Sequence, residues 1–168
     1  MDVLVWIAEG TWEACVDAVA LHVPPGSGLT FLHVAEPAPW ESVRGAGSGP
    51  LGGPRRRLRD PLVSETDLAA QLGRELLELA AGRVGAPVAL RQRRGRVERE
   101  VVAEAAGMDL LILARDGDMR RLGPRSVGPA TRFVLDHAPC NALLVWPNPA
   151  PDLSSIPPPP VRDPRPRV

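Results

Sequence analysis

The feature that most constrains the fold is a run of residues from Asp109 to Pro147 that alternates between apolar and loop-forming segments. Residues 109–114 form a short, almost continuous apolar run, which is typical of a strand buried on both faces of a parallel sheet. A polar loop with Gly117 and Gly123 follows, and Gly128 then opens an amphipathic helix. A second apolar strand is predicted over residues 141–146. The apolar helix positions share one face: Ala130, Phe133, Val134, His137 and Ala138.

The rest of the chain repeats this alternation of strand and helix. Strands are predicted over residues 3–8, 29–34 and 87–91, the last being weak because polar residues follow it at once. Thr11 is the predicted N-cap of a helix that ends near His22, and residues 64–67 resemble the capping box of a helix that ends near Gly82. A further helix is predicted between Gly95 and Gly107. This pattern predicts a doubly wound α/β fold, flavodoxin-like or Rossmann-like, with a five-stranded parallel sheet.

The predicted domain covers residues 1–147 and is interrupted by a long flexible loop at residues 36–61. That loop is rich in proline and glycine and is far longer than most connections within a domain. Residues 148–168 are predicted to be a disordered tail, because the stretch from Pro147 onward holds nine of the twenty prolines and has little apolar surface to bury.

Composition argues against several classes of protein. The formal net charge is zero, which gives no field for nucleic-acid binding. Cys15 and Cys140 lack the spacing of a disulfide or metal framework, so reduced thiols and a cytoplasmic location are expected. The amino terminus shows no charged segment before an apolar one, and no apolar run approaches membrane-spanning length, so neither a leader nor membrane association is expected. No metal-ligand spacing or grouping of nucleophile and base is evident, so we predict neither a metal site nor an enzyme.

The last third of the chain resembles the universal stress protein family. That family ends in a strand, a glycine-rich phosphate loop, a helix that finishes in a His-Ala-Pro-Cys-like tetrapeptide, and a final apolar strand. Residues 137–140 are His-Ala-Pro-Cys and match that tetrapeptide residue for residue. The element order along residues 2–147 is also similar to that of a universal stress protein domain.

In an open parallel sheet, ligands bind beyond the carboxyl ends of the strands, at the switch point between the two halves. The resemblance implies an adenine-nucleotide site there. Glu9 falls where ATP-binding members carry an aspartate, and Val34 falls where their strand-two backbone holds adenine. The resemblance and the loop chemistry together predict these nucleotide contacts: Glu9, Gly10, Thr11, Val34, Gly117, Arg125, Gly128 and Pro129.

The phosphate loop departs from the family pattern, which has glycine, two residues, glycine, nine residues, glycine, then serine or threonine. Ala114 replaces the first glycine, Gly128 comes one residue late, and Pro129 replaces the hydroxyl residue. Proline supplies no hydroxyl and removes an N–H donor from the anion site. Asp116 and Asp118 also place negative charge beside the loop. We therefore expect no tight ATP binding and no other cofactor.

The leading hypothesis is a non-catalytic stress-response or regulatory module of the universal stress protein type. The alternative is a switch that binds ATP or a related adenine ligand through the loops after strands one, two and four. Arginines between Arg115 and Arg125 would then grip phosphate as bidentate donors. An ATP-hydrolysing enzyme is a third hypothesis, opposed by the missing hydroxyl at Pro129.

The composition of the last strand indicates how the protein would associate with a partner. It is short, apolar and free of charged residues, and an exposed edge of this kind favours pairing with another chain. Members of the family commonly dimerise through this strand, so the resemblance implies a homodimer; an unidentified protein partner is a further expectation. Either Leu143 and Val145 or Leu144 and Trp146 would face the partner. The predicted interface consists of Ala142, Leu143, Leu144, Val145 and Trp146.

Overall fold

The computed structural model describes residues 1–36 and 61–158. The strands are β1 (Asp2–Trp6), β2 (Gly28–Ala35), β3 (Val88–Arg94), β4 (Leu110–Ala114) and β5 (Asn141–Val145). The helices are α1 (Trp12–His22), α2 (Pro61–Gly82), α3 (Val97–Glu104) and α4 (Pro129–His137). Single 3-10 turns occupy Pro124–Ser126 and Leu153–Ser155.

The strands form one parallel sheet in the order β3-β2-β1-β4-β5, which confirms the predicted doubly wound fold. Strand β1 lies in the middle and pairs with both neighbours, since Leu4 is in register with Thr30 of β2 and with Leu111 of β4. The sheet grows from β1 outward to β3 and then from β4 outward to β5. The switch point at which a ligand cleft is expected therefore lies between β1 and β4.

The core lies on both faces of the sheet because successive side chains of a strand point in opposite directions. Val3 and Val5 of β1 face a cluster formed with α1 and α2, whereas Leu4 and Trp6 face a second cluster formed with α3 and α4. Strands β1 and β4 are therefore apolar at nearly every position, which explains the continuous apolar runs in the sequence.

Several element boundaries differ from the predicted ones, and the differences at β3 and α2 have a physical reason. Strand β3 continues to Arg94, where it still pairs with Ala35, instead of ending at Arg91. Polar residues are tolerated there because β3 is an edge strand. Helix α2 begins at Pro61 and not at the predicted capping box. A proline suits that place because the first helical N–H needs no partner within the helix. Residues 37–60 of the predicted flexible loop lie outside the described residues.

Thr11 and the tail also add detail to the predictions. Thr11 precedes α1 as predicted, but its hydroxyl donates to the Ala8 carbonyl at 3.4 Å and does not cap the helix, so the capping role is wrong. Part of the predicted disordered tail has local structure, since the Asp152 carboxylate accepts from the Ser154 N–H at 2.8 Å. Residues 159–168 lie outside the described residues, and the disorder of the tail stays a prediction.

Helix α3 is joined to the edge strand β3 by one carboxylate. Glu104 accepts hydrogen bonds from Arg91, at 2.7 Å, and from Arg93. Its side chain is only 11% exposed. Burial raises the pKa of Glu104, but the hydrogen bonds and charges of the two arginines outweigh burial, so the pKa is lowered. The charged form therefore stabilises the folded state.

We expect Glu104→Gln to lower the free energy of unfolding by about 1 kcal/mol near neutral pH, because the two arginines lose their charged partner. A carboxyl whose folded pKa is depressed gives stability above its unfolded pKa and loses it as the pH falls through the folded pKa. Denaturant unfolding at about pH 7 and about pH 3 should show the difference only at the higher pH. The exposed Glu78→Gln is the matched control, and equal stability of both variants at the higher pH would contradict this role.

Candidate functional site

Strands β1, β2 and β4 all end at the carboxyl edge of the sheet. Because β1 lies between β2 and β4, the ends of these strands are neighbours at that edge. The residues that the sequence predicts for the nucleotide site lie at or after these strand ends: Val34 within β2, Glu9, Gly10 and Thr11 after β1, and Gly117, Arg125, Gly128 and Pro129 between β4 and the first turn of α4. The topology thus brings these segments to one edge, and the side-chain contacts decide what the edge is able to bind.

The turn after β1 presents an exposed carboxylate. The Ala8 carbonyl accepts from the Thr11 and Trp12 N–H groups, at 3.3 and 3.1 Å, and this closes the turn. Gly10 has a φ of +75°, which few residues other than glycine adopt. Glu9 and Gly10 are exposed, and within the described ranges Glu9 makes no hydrogen bond or ion pair. Thr11 is half-buried and its hydroxyl is already engaged by Ala8.

The backbone of Val34 lies just past the point where β1 and β2 stop pairing. The last contact of that ladder runs from the Ile7 N–H to the Leu32 carbonyl at 2.8 Å. Backbone groups alternate sides along a strand, so those of Val34 point to the same side as those of Leu32. The Ile7 carbonyl instead accepts from Nδ1 of His33 at 3.1 Å. Val34 thus offers backbone groups to the space beyond β1, as an adenine contact would require.

The loop after β4 is closed by two backbone hydrogen bonds across its base. Gly117 N–H donates to the Ser126 carbonyl at 3.1 Å, and Asp118 N–H donates to the Arg125 carbonyl at 2.8 Å. The two arms approach so closely that a Cβ on Gly117 would lie 2.3 Å from the Arg125 oxygen. Only glycine fits there. The Gly117 amide is consequently used within the loop and does not point at a ligand.

The entrance to α4 holds a carboxylate from the same loop. Gly128 is buried, and its N–H donates to Oδ1 of Asp116 at 2.7 Å. Both Asp116 oxygens lie within 2.8 Å of the position that a Cβ on Gly128 would take. Pro129 is the first residue of α4 and has no N–H to offer. The Asp116 carboxylate therefore occupies the place where the resemblance implies a phosphate.

Three polar side chains fix the shape of this loop: Arg115, which the sequence analysis assigned to phosphate, and Ser126 and Arg132, which it did not select. Ser126 is fully buried, accepts from Nη1 of Arg115, and donates to the Gly123 carbonyl at 2.7 Å. The Arg115 guanidinium also lies 4.5 Å from the centre of the Trp146 ring. From α4, Arg132 donates to the Pro124 and Val127 carbonyls. No local sequence signal distinguishes these residues from surface ones, because their partners are distant carbonyls and rings.

Charges around the loop tip favour an ionised aspartate. The backbone N–H of Arg120 lowers the pKa of Asp118, burial opposes this slightly, and the guanidinium groups of Arg120 and Arg121 add to the lowering. Arg125 is exposed and contributes its carbonyl to the loop, while its guanidinium has no partner among the described residues. Of the predicted arginines, the one that is built into the loop is Arg115.

The structure therefore places the predicted nucleotide residues at one edge, although their role in binding stays a prediction. Glu9 is exposed, and the Val34 backbone lies past the last pair of β1 and β2. The Gly117 and Gly128 amides are occupied by the chain itself. In the described ranges, no group of three or more His, Cys, Asp or Glu side chains could hold a metal ion. No helix described here is long and apolar enough to cross a bilayer.

Comparison with known proteins gives a clear assignment. The sequence profile of the universal stress protein family matches residues 8–145, from the end of β1 through β5. The chain belongs to the universal stress protein family. It is accordingly a stress-response protein of that type, as the His-Ala-Pro-Cys ending predicted. No curated protein matches the sequence.

Solved universal stress proteins share its fold. The chain is similar to UspA from Lactobacillus plantarum, with 20% identity and a TM-score of 0.57 over 86% of this chain and 97% of that one. A family member from Burkholderia pseudomallei is 20% identical with a TM-score of 0.52, over 86% and 94% of the two chains. A universal stress protein in complex with cAMP is 13% identical with a TM-score of 0.53, over 88% and 98%. At these identities the likeness establishes the fold.

The close approach at Gly117 gives a test of the loop geometry. Gly117→Ala should destabilise the protein by roughly 1–3 kcal/mol, because a methyl group 2.3 Å from a backbone oxygen forces the two arms apart. Thermal unfolding compares it with Gly85→Ala, where a Cβ would meet nothing within 4 Å. An equal melting temperature for Gly117→Ala and wild type would show that the arms are not closed as described.

Proposed function

We propose that this universal stress protein is a non-catalytic regulatory module that works without tight ATP binding. The observation that carries the proposal is the hydrogen bond from the Gly128 N–H to the Asp116 carboxylate, 2.7 Å long. The N-terminal end of a helix carries partial positive charge and is the natural seat of a phosphate. Here that seat is taken by a side chain of the loop itself.

A nucleotide phosphate would have to displace or tolerate Asp116. Two like charges 4 Å apart repel by roughly 4 kcal/mol at an effective dielectric constant of about 20, which is large compared with one regained hydrogen bond. Pro129 removes the next amide of the helix, so the displaced site would have fewer donors than a standard helix entrance. Both effects weaken the binding of a triphosphate at the entrance to α4. Neither affects a partner that binds elsewhere on the protein surface.

Two histidines and Cys15 are held in packing contacts, which supports a non-catalytic role. Nδ1 of His33 lies 3.1 Å from the Ile7 carbonyl, and His137 stacks on Phe133 with ring centres 4.0 Å apart. Burial raises the pKa of Cys15 to about 12, so it remains a thiol. Burial and Asp109 also raise the pKa of Cys140. Both cysteines are free, consistent with the cytoplasmic location that we propose.

Wild-type protein should show no rise in melting temperature with ATP and Mg²⁺ at about 1 mM. The stabilisation that a ligand gives depends on its concentration relative to its dissociation constant, and a weak site is not filled at this concentration. Asp116→Ala should shift the melting temperature upward with ATP, because it frees the Gly128 N–H and removes the repelling charge. A thermal-shift scan with ATP, ADP, AMP and cAMP measures both effects.

Asp118→Ala is the matched control, because it removes an aspartate of the same loop whose carboxylate contacts Arg120 and not the α4 entrance. It should leave the ATP response at the wild-type level. A clear shift of the wild-type protein with ATP would contradict the leading proposal. A shift with Asp118→Ala alone would show that general charge, and not occupation of the Gly128 amide, limits binding.

An adenine-nucleotide switch is the second candidate, favoured by the position of the Val34 backbone beyond the last β1–β2 pair and by the exposed Glu9 carboxylate. The similar protein that holds cAMP lends this candidate support. The pair Ala114→Gly and Pro129→Ser distinguishes a decayed ATP site from a different one. Gain of ATP affinity in the double variant would indicate a decayed site, whereas unchanged or lost affinity for a bound nucleotide would indicate a distinct mode.

We further propose that the protein acts as a homodimer through β5. The two edges of the sheet differ in charge: β3 carries Arg91, Arg93 and Arg94, whereas β5 has no charged residue. Charged side chains protect an edge from pairing, so β5 is the edge that remains open to a second copy. Leu143 and Val145 lean on the α1 side of the sheet and Leu144 on the α4 side, and all three are only partly buried.

Ala142→Arg should convert the dimer to a monomer, because it places a charge on an exposed position of the β5 edge. Ala89→Arg is the matched control, since Ala89 is an exposed alanine of the opposite edge strand and should leave the dimer intact. Size-exclusion chromatography with light scattering gives the masses. A monomeric wild type, or a dimer lost equally in both variants, would contradict an interface through β5.

A further inference from the structure

The segment that follows β5 contacts the loop after β4. Ser155 lies in the 3-10 turn Leu153–Ser155, and its hydroxyl oxygen accepts from the Leu122 N–H at 3.0 Å. The same hydroxyl donates to the Asp152 carbonyl at 2.6 Å, which fixes its orientation. Ser155 thus uses both its donor and its acceptor capacity in this contact. We call residues 147–155 the strap.

The contact falls on the least anchored part of the loop. The loop base is closed by Gly117 and Asp118, and its return arm is held by Arg115 and by Arg132. The tip, residues 119–123, contains Arg120, whose hydrogen bonds go to Asp118 within the loop. For the described ranges, the hydrogen bond of Leu122 to Ser155 is the link from the N–H groups of the tip to another part of the chain.

The two residues just before the strap, Val145 and Trp146, also contact the loop after β4. The Arg115 N–H donates to the Val145 carbonyl at 2.9 Å, and the Arg115 guanidinium lies over Trp146. Pro147, Pro149 and Pro151 follow directly. Proline restricts φ to about −65°, so the undocked strap has few conformations to lose when it docks.

We propose that the strap is a conformational device that holds the tip of the loop after β4 through Ser155. Release of the strap frees the tip while the loop base stays closed. Coupling of this kind is reciprocal: whatever captures the strap loosens the tip, and a ligand that needs an open tip weakens strap docking by the same factor. The inference goes beyond the proposed function, because it stands whether or not a nucleotide binds.

Hydrogen–deuterium exchange of the full chain tests the proposal. Ser155→Ala should speed exchange at residues 119–123 by about fivefold, the equivalent of one ordinary net hydrogen bond, and leave the strands unchanged. Ser155→Thr keeps the hydroxyl and should restore slow exchange. Ser154→Ala, on the same turn but not in contact with the loop, is the matched control and should behave as wild type.

Trypsin gives an independent measurement, because Arg120 and Arg121 are exposed cleavage sites within the tip. Under native conditions, Ser155→Ala should be cut after these arginines about fivefold faster than the wild type. The proposal is overturned if Ser155→Ala exchanges and is cleaved like the wild type, or if Ser154→Ala has the same effect. Neither result depends on ATP, so this test and the nucleotide test fail separately.

Discussion

Burial of β1 on both faces is the constraint on which the rest of the structure depends. Val3, Leu4 and Val5 have no exposed surface, because β1 is the central strand and each face of it carries a helical layer. Helices are needed on both sides, so the chain must cross over the sheet between strands, and the crossovers place the carboxyl ends of β1, β2 and β4 at one edge. The candidate site is a consequence of how the core is covered.

Most polar groups of the loop at that edge form hydrogen bonds with one another. The loop after β4 uses its own amides, a buried serine and two arginines to close itself, and Asp116 fills the entrance to α4. Buried polar groups have to find partners, and a ligand would normally supply some of them. In this chain the loop supplies most of them, and among the side chains of the described residues only Nε of Arg115 is buried without a partner. This is the physical reason why we favour a regulatory role over tight nucleotide binding.

The sheet edges and the strap extend the same logic to partners. Arginines on β3, two of them paired with Glu104, leave that edge unsuited to pairing, while β5 remains apolar. The chain then continues from β5 into the strap, so the proposed dimer edge, Trp146 and the loop after β4 are consecutive parts of one surface. A change at the dimer edge and a change at the loop would therefore both alter the contacts of these same residues.

Much of the fold could be predicted because its signals are local. Continuous apolar runs indicate the interior strands, and the tetrapeptide at residues 137–140 carries the family resemblance that the profile match confirms. Boundaries were less secure where tertiary context decides: β3 extends through Arg93 and Arg94 because an edge strand tolerates polar residues. His137, assigned to an apolar face, is exposed, whereas Thr131 of the same helix is buried.

The sequence by itself determined the fold class, the family and the departures of the loop after β4 from the family pattern, since each depends on residue type and spacing along the chain. Tertiary structure alone decided where the polar groups of that loop find their partners. Asp116 was expected to repel a phosphate from nearby, but its contact with the Gly128 amide needs the loop to fold back on itself. Ser155 meets Leu122 across 33 residues, a distance over which no local pattern carries information.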